Sequence, residues 1–157
     1  MNIILCGLPM SGKTTLGQLL AKHLHLNFID TDQLIENAFA AIHKSRLTCR
    51  QIFQQEGSSV FREFEKLQIA SLIHKKNTVI AVGGGSLVDP ENVKILKQLG
   101  CLVYLKAPMN ILWERIKQNG IPGYLDATNP EEAFYMLAKQ RIPIYETHAD
   151  ITILCEF

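Results

Sequence analysis

The segment Gly7-Leu8-Pro9-Met10-Ser11-Gly12-Lys13-Thr14 has the spacing G-x-x-x-x-G-K-[ST], which suits a loop that cradles nucleotide phosphates. The chemistry follows from the residue types. Gly7 and Gly12 let the backbone turn so that several N-H groups, Ser11 and Thr15 lying in the same ATP-binding stretch, face a β-phosphate. Lys13 can neutralise β and γ oxygens, and the Thr14 hydroxyl can hold Mg²⁺. The pattern alone is weak, because glycine and lysine are common. Its context strengthens it: the apolar run Asn2 to Cys6 precedes it and a helix-like pattern, Leu16 to Leu24, follows. The alternative is a glycine-rich turn before an amphipathic helix.

A second pair of chemical groups lies in Phe28-Ile29-Asp30-Thr31-Asp32, at the end of another strand-like run. In an extended stretch, residues two apart point the same way. One carboxylate can then serve Mg²⁺, directly or through water, while the other faces an acceptor hydroxyl. The competing reading is helix capping by Thr31 or Asp32 ahead of Leu34 and Ile35. Gly83-Gly84-Gly85 closes a third run, where many phosphate-loop enzymes carry an acidic metal ligand and this chain has none. Removing three side chains in a row permits close approach of a ligand to backbone N-H groups. Arg62 and Arg141 are each ordinary surface candidates, but together they suit an anionic acceptor, since a guanidinium grips a carboxylate bidentately. The histidines show no metal-ligand spacing and are assigned to surface or core.

The elements that must position these groups are legible as apolar, β-branched runs: Ile3 to Cys6, Leu26 to Ile29, Thr78 to Val82, Cys101 to Leu105 and Asp150 to Leu154. Short, nearly continuous and separated by helical stretches, they read as strands buried on both faces of a parallel sheet. Leu16, Leu19, Leu20 and Leu24 fall on one helical face, as do Phe61, Phe64, Leu67, Ala70 and Leu72 roughly. Pro90 and Pro108 follow strand-to-helix junctions, and Asn129-Pro130-Glu131-Glu132 starts another helix. The expected fold is a three-layer, doubly wound α/β domain of five parallel strands, with ligands at the carboxyl ends of the strands. Residues 31–77 form an insertion of two or three helices beside the phosphates. Residues 118–129, with Gly120, Pro122 and Gly123, read as a surface loop that can act as a lid.

Bulk properties narrow the partners. With 157 residues the chain is expected to be a single domain, 1–157, and 47% hydrophobic with 20% charged residues is an ordinary globular composition. Sixteen basic and fifteen acidic residues give +1, which offers no electrostatic footprint for nucleic acid or an anionic membrane. Cys6, Cys49, Cys101 and Cys155 are far apart, without C-x-x-C, so neither a zinc site nor a redox pair is indicated; at least two lie in strand-like runs as apolar fillers, which fits a reducing compartment, with disulfides as the alternative. No apolar run nears the roughly 20 residues of a membrane helix, and the first strand starts too early for a signal segment. A cytoplasmic monomer with small-molecule partners is the expectation.

Taken together, the blocks G-L-P-x-S-G-K-T-T, F-x-D-T-D-x-x-I-E, I-F-x-x-x-G-x-x-x-F-R-x-x-E, G-G-G and R-x-P-x-Y resemble the shikimate kinase family of nucleoside-monophosphate-kinase-like phosphotransferases, in family order over nearly the whole chain. The resemblance implies the P-loop kinase fold and ATP-dependent phosphorylation of the 3-hydroxyl of shikimate, on the route to chorismate and the aromatic amino acids. It implies Lys13 and Thr14 on the phosphates and Mg²⁺, Asp30 on the metal side, and Asp32 on the shikimate hydroxyls as proton acceptor. Arg62 and Arg141 would grip the carboxylate, and Gly83, Gly84 and Gly85 would lie against the ring. Pro9, Phe53, Phe61 and Glu65 would line the same pocket, with Arg115 on the adenine. The lid departs from the family pattern. Where an Arg-Pro pair is usual, this chain reads Asn119-Gly120-Ile121-Pro122-Gly123-Tyr124-Leu125, and Lys117 is the nearest cation. Either the lid works differently or turnover is reduced. The residues before the triglycine are Ala81 and Val82, so no polar side chain there assists a metal. A non-catalytic nucleotide-binding relative, or a kinase for another anionic acceptor such as gluconate, are the alternatives.

Overall fold

The structure, a computed structural model, describes residues 1–156. All five apolar runs form strands: β1 (Asn2–Cys6), β2 (Asn27–Asp30), β3 (Thr78–Ala81), β4 (Cys101–Lys106) and β5 (Ile151–Leu154). They pair in parallel in the order β2-β3-β1-β4-β5. Parallel neighbours require crossovers, which are supplied by α1 (Lys13–Leu24), α2 (Thr31–His43), α3 (Cys49–Ser71), α4 (Pro90–Leu99), α5 (Met109–Asn119) and α6 (Pro130–His148). From β1 the chain moves to one side for β2 and β3 and then crosses to the other for β4. The reversal falls at β1, whose carboxyl end opens into residues 7–12, the place where open α/β sheets bind ligands.

The three central strands are buried on both faces, as their sequences require. Ile4, Ile80 and Leu102 join one core cluster while Leu5, Val79 and Val103 join the other. The edge strand β5 departs from that reading, because all four of its residues are exposed. Its β-branched sequence sets its conformation, but the sheet order leaves it with a single neighbour.

Two helix faces also differ from expectation. Leu16, Leu19 and Leu24 of α1 are 37%, 61% and 40% exposed, and the buried positions are Gly17 and Ala21. A Cβ on Gly17 would lie 2.6 Å from Phe28 Cε2 and 3.2 Å from Leu5 Cδ1. The helix therefore lies so close to the sheet that its smallest side chains must face inward. In α3 the buried stripe is Ile52, Phe61, Glu65 and Ile69, and Leu67 is 62% exposed. Periodicity of apolar residues alone passes over Glu65, a carboxylate at a core position.

The insertion at residues 31–77 contains α2 and α3, and α3 is broken at Gly57 (φ 86°, ψ 171°) into two segments. Thr48 and Gln51 form a reciprocal capping box at its start. Asp30, rather than Thr31 or Asp32, caps α2, accepting the Asp32 N-H at 2.9 Å. Asp32 thus sits in a first helical turn and not in an extended stretch, and its orientation is set by α2. Between α5 and α6 the loop 120–129 is pinned by the buried residues Pro122 and Leu125.

Candidate active site

The phosphate loop is shaped by backbone that few side chains tolerate. Gly12 has φ 89° and Met10 φ 65°, both in the left-handed region. A Cβ on Gly7 would press to 2.8 Å from the Leu105 carbonyl oxygen of β4. Lys13 opens α1 and folds its ammonium back over the loop, donating to the carbonyls of Gly7 and Leu8 at 2.9 Å each. Gly7 and Ser11 support the loop from behind, the Ser11 hydroxyl being buried without a hydrogen-bond partner, whereas Gly12, Lys13, Thr14 and Thr15 line the cavity in front.

Asp30, at the end of β2, links this loop to the next helix. One carboxylate oxygen accepts the Thr14 hydroxyl at 2.8 Å and the other caps α2. Asp32 then faces the cavity from the first turn of α2. Burial, with the neighbouring Asp30 charge, raises its carboxyl to about 6 against the pull of Lys13. Burial lowers Lys13 to about 8, against the attraction of Asp32, Cys6 and Asp30. Two opposite charges are therefore held in one desolvated pocket, each shifted toward neutrality.

The triglycine is where the remaining charged groups meet. Its backbone angles lie outside the glycine-only region, so the requirement is space. A Cβ on Gly83 would sit 3.2 Å from both Asp32 Oδ1 and Glu65 Oε2; one on Gly84 would sit 3.2 Å from Arg141 Nη1 and from Pro9 Cδ. On Gly85 it would run into the Arg62 guanidinium, 2.7 Å from Nη1. Three missing side chains make room for an aspartate and two arginines.

Glu65 orders this cluster from below. It is 1% exposed, pairs with Arg62 at 2.7 Å and accepts the Ser86 hydroxyl at 2.8 Å. The Ser86 carbonyl in turn accepts from Asn92 of α4 at 3.0 Å. Arg141, on α6, makes no ion pair among the described residues, and burial, with repulsion from Arg62, lowers its pKa. Tyr145 of the same helix donates its hydroxyl to the Gly84 carbonyl, which fastens α6 to the triglycine. Glu65 is thus taken up by Arg62 and Ser86, and the Arg141 guanidinium lines the cavity without an ion pair of its own among the described residues.

The cavity is about 700 Å³ and runs from the phosphate loop to this cluster. Phe53 and Phe61 form an apolar wall, their centroids 5.9 Å apart in an edge-on contact. Arg115 of α5 lies at the opposite end and donates to the Met10 carbonyl at 2.9 Å. All the predicted site residues except Gly7 and Ser11 line this one space.

A sequence model described as "Shikimate kinase" matches residues 9–156. The chain belongs to the shikimate kinase family. A shikimate kinase of Thermodesulfovibrio yellowstonii is 39% identical over 145 residues, covering 92% of this chain and 80% of that one. A shikimate kinase of Nitrosococcus oceani is also 39% identical, over 97% of this chain and 77% of its own. Among solved structures, the shikimate kinase of Acinetobacter baumannii in complex with shikimate superposes with a TM-score of 0.89 at 35% identity, covering 99% of this chain and 84% of that one. That of Aquifex aeolicus gives 0.78 at 28% identity, over 98% and 86%. The five-stranded parallel sheet is thus that of the P-loop shikimate kinases, and the chain is a kinase. None of its helices, among the described residues, is long and apolar enough to cross a membrane.

Cys49, Arg50 and Tyr124 are among the cavity residues that sequence patterns pass over, as are Ile116 and Leu137. Cys49 hydrogen-bonds through its thiol to the Asp32 carbonyl at 3.3 Å, and burial pushes that thiol up, out of reach of the thiolate. Arg50 had a usable signal. It precedes Phe53 by three residues, so a helix that presents Phe53 to the pocket presents Arg50 as well. Tyr124, in the loop 120–129, lies edge-on to Phe53 at 6.0 Å, a contact between segments that no local pattern announces. Lys117 does not reach the cavity; it pairs with Glu114 at 2.6 Å and lies over the Trp113 ring.

Proposed function

We propose that this chain transfers the γ-phosphoryl group of ATP to the 3-hydroxyl of shikimate, giving shikimate 3-phosphate on the route to chorismate and the aromatic amino acids. The observation that carries the assignment is the convergence of Asp32, Arg62 and Arg141 on three residues without side chains, in the same cavity as a phosphate loop. Family membership and the likeness to a shikimate kinase crystallised with shikimate support it.

In this reading Arg62 and Arg141 grip the shikimate carboxylate, with Glu65 locking the Arg62 guanidinium in place. Gly83, Gly84 and Gly85 let the ring lie against the backbone, and Pro9, Phe53 and Phe61 cover its apolar edges. Asp32 orients the hydroxyl and accepts its proton. A carboxyl raised to about 6 is ionised at neutral pH yet basic enough to take that proton as the new bond forms. Lys13 turns from the loop carbonyls to the phosphoryl oxygens, and Gly12, Thr14 and Thr15 hold the phosphates at the start of α1. Arg115 covers the adenine side. Positioning and charge neutralisation supply most of the acceleration in phosphoryl transfer.

Thr14 and Asp30 are the residues that would hold Mg²⁺. Their oxygens already share one hydrogen bond at 2.8 Å, and a hydroxyl with a carboxylate is a hard donor set of the kind Mg²⁺ takes. No group of three or more His, Cys, Asp or Glu side chains forms a metal cage among the described residues, which suits an ion that completes its shell with phosphates and water. Bound there, Mg²⁺ would neutralise β and γ oxygens. The same reading has the chain working as a single-domain monomer in the cytoplasm on its two small substrates; its +1 charge and four free cysteines support that part.

A coupled ADP-release assay with shikimate, gluconate and a nucleoside monophosphate as competing acceptors tests the proposal. Release dependent on shikimate alone is expected. Equal release with gluconate, or none with any acceptor, would overturn it.

A further inference from the structure

Covering the cavity and neutralising the transferring phosphoryl group are separate tasks, and the loop 120–129 is equipped only for the first. It contains no lysine or arginine. Five cations line the cavity: Lys13, Arg50, Arg62, Arg115 and Arg141. Lys13 lies on the phosphate loop, Arg62 and Arg141 lie on the triglycine, and Arg115 is held by the Met10 carbonyl. Only Arg50 has no task in the scheme above.

Arg50 is placed for one. It stands in the first turn of α3, is exposed, and makes no ion pair among the described residues. Its guanidinium donates to the Gly120 carbonyl at 3.3 Å, spanning the cavity mouth from α3 to the residue just after α5. The same helix, α5, carries Arg115, which donates to the Met10 carbonyl at 2.9 Å, so the contact ties Arg50 to the helix that borders the phosphate loop. Gly120 itself has φ 91°, a left-handed conformation that glycine adopts freely and that turns its carbonyl to the guanidinium at the end of α5. The loop's Tyr124 marks the other side. Burial raises its phenol, while the charges of Arg141, Arg50 and Arg62 pull it down and that of Asp32 pushes it up. Tyr124 also lies edge-on at 6.0 Å to Phe53, one helical turn after Arg50, so the loop meets the start of α3 at two points, both on the cavity.

A dissociating phosphoryl group spreads negative charge over three equatorial oxygens, and the phosphate loop approaches it from one side only. We propose that Arg50 is a catalytic residue of this chain, supplying from α3 the positive charge that the loop 120–129 lacks. The hydrogen bond to Gly120 couples that charge to loop closure. The assignment rests on the phosphoryl-transfer reading above.

Arg50→Gln tests it, since glutamine can still donate to the Gly120 carbonyl but carries no charge. Expected is a loss in kcat of on the order of 10²-fold. The complex with ADP, Mg²⁺, shikimate and aluminium fluoride should weaken in parallel, while calorimetric affinity for shikimate alone stays within about twofold of the parent. Arg50→Lys should fall between, because it keeps the charge without the planar fork. A kcat loss below about tenfold, or an aluminium fluoride complex as tight as the parent's, overturns the assignment. A parent enzyme without shikimate-dependent ADP release would instead overturn the function from which it starts.

Discussion

Thr14 and Asp30 meet across the junction of α1 and β2, the hydroxyl donating to one carboxylate oxygen at 2.8 Å while the other oxygen caps α2 at 2.9 Å. One side chain thereby serves the metal side of the phosphate loop and aims the helix that carries Asp32. The two duties are separable. Asp30→Asn keeps a capping oxygen and loses the charge, so its thermal stability should stay near the parent's while the Mg²⁺ concentration for half-maximal rate rises. Asp30→Ala loses both and should also cost about 1 kcal/mol in denaturant unfolding.

The pH dependence follows from the opposed shifts of Asp32 and Lys13. Turnover needs Asp32 ionised and Lys13 protonated, so kcat/KM should be bell-shaped, rising through about 6 and falling through about 8. Bound phosphates favour the protonated lysine, so the alkaline limb of kcat should lie higher than that of kcat/KM. A profile flat between pH 5 and 9 would show that neither group titrates in the rate-limiting step.

Asp32 also costs stability. Its folded pKa is raised from 3.8 to about 6, so folding binds its proton more tightly; the benefit is full below about 4 and is lost as pH rises through about 6. Asp32→Asn should therefore stabilise the unliganded protein at neutral pH, by up to about 3 kcal/mol, while abolishing most turnover. At pH 4 the stability gain should largely vanish. Unfolding curves at the two pH values test this.

Gly85→Ala should separate acceptor from donor binding. Its Cβ would displace the Arg62 guanidinium and strain the pair with Glu65. The KM for shikimate should rise by about tenfold or more, with that for ATP unchanged. A fully active variant would mean that Arg62 swings clear at no cost to the acceptor.

Gly17→Ala probes the fold alone. The added methyl would meet Phe28 at 2.6 Å and Leu5 at 3.2 Å, and overpacking of this kind costs about 1–3 kcal/mol. Since α1 also presents Lys13 and Thr14, a drop in ATP affinity should accompany the loss of stability.

Much of this arrangement is legible before folding, for reasons that differ by element. The phosphate loop depends on backbone turns and a lysine within eight residues, so Gly7 to Thr14 announce it locally. Strands β1, β3 and β4 are buried on both faces, and uninterrupted apolar runs follow from that burial alone. Helix orientation was less legible. Leucines at 16, 19, 20 and 24 make a persuasive apolar face, yet α1 approaches the sheet through Gly17 and Ala21, because close packing selects for small size, which hydrophobic periodicity does not register. Glu65 inverts the same rule in α3: a carboxylate occupies a core position since Arg62 and Ser86 satisfy it there.

The sequence by itself therefore determined the strand content, the phosphate loop and the set of charged residues available to an acceptor. Tertiary structure decided how they combine. Whether Asp32, Arg62 and Arg141 share one volume depends on the sheet order and on three backbones stripped of side chains, and each of those contacts joins residues distant in the chain. Arg50 makes the point most sharply. On α3 it is one polar residue in a helical turn, and only the path of residues 120–129 across the cavity places a carbonyl, and with it a catalytic opportunity, within 3.3 Å of its guanidinium.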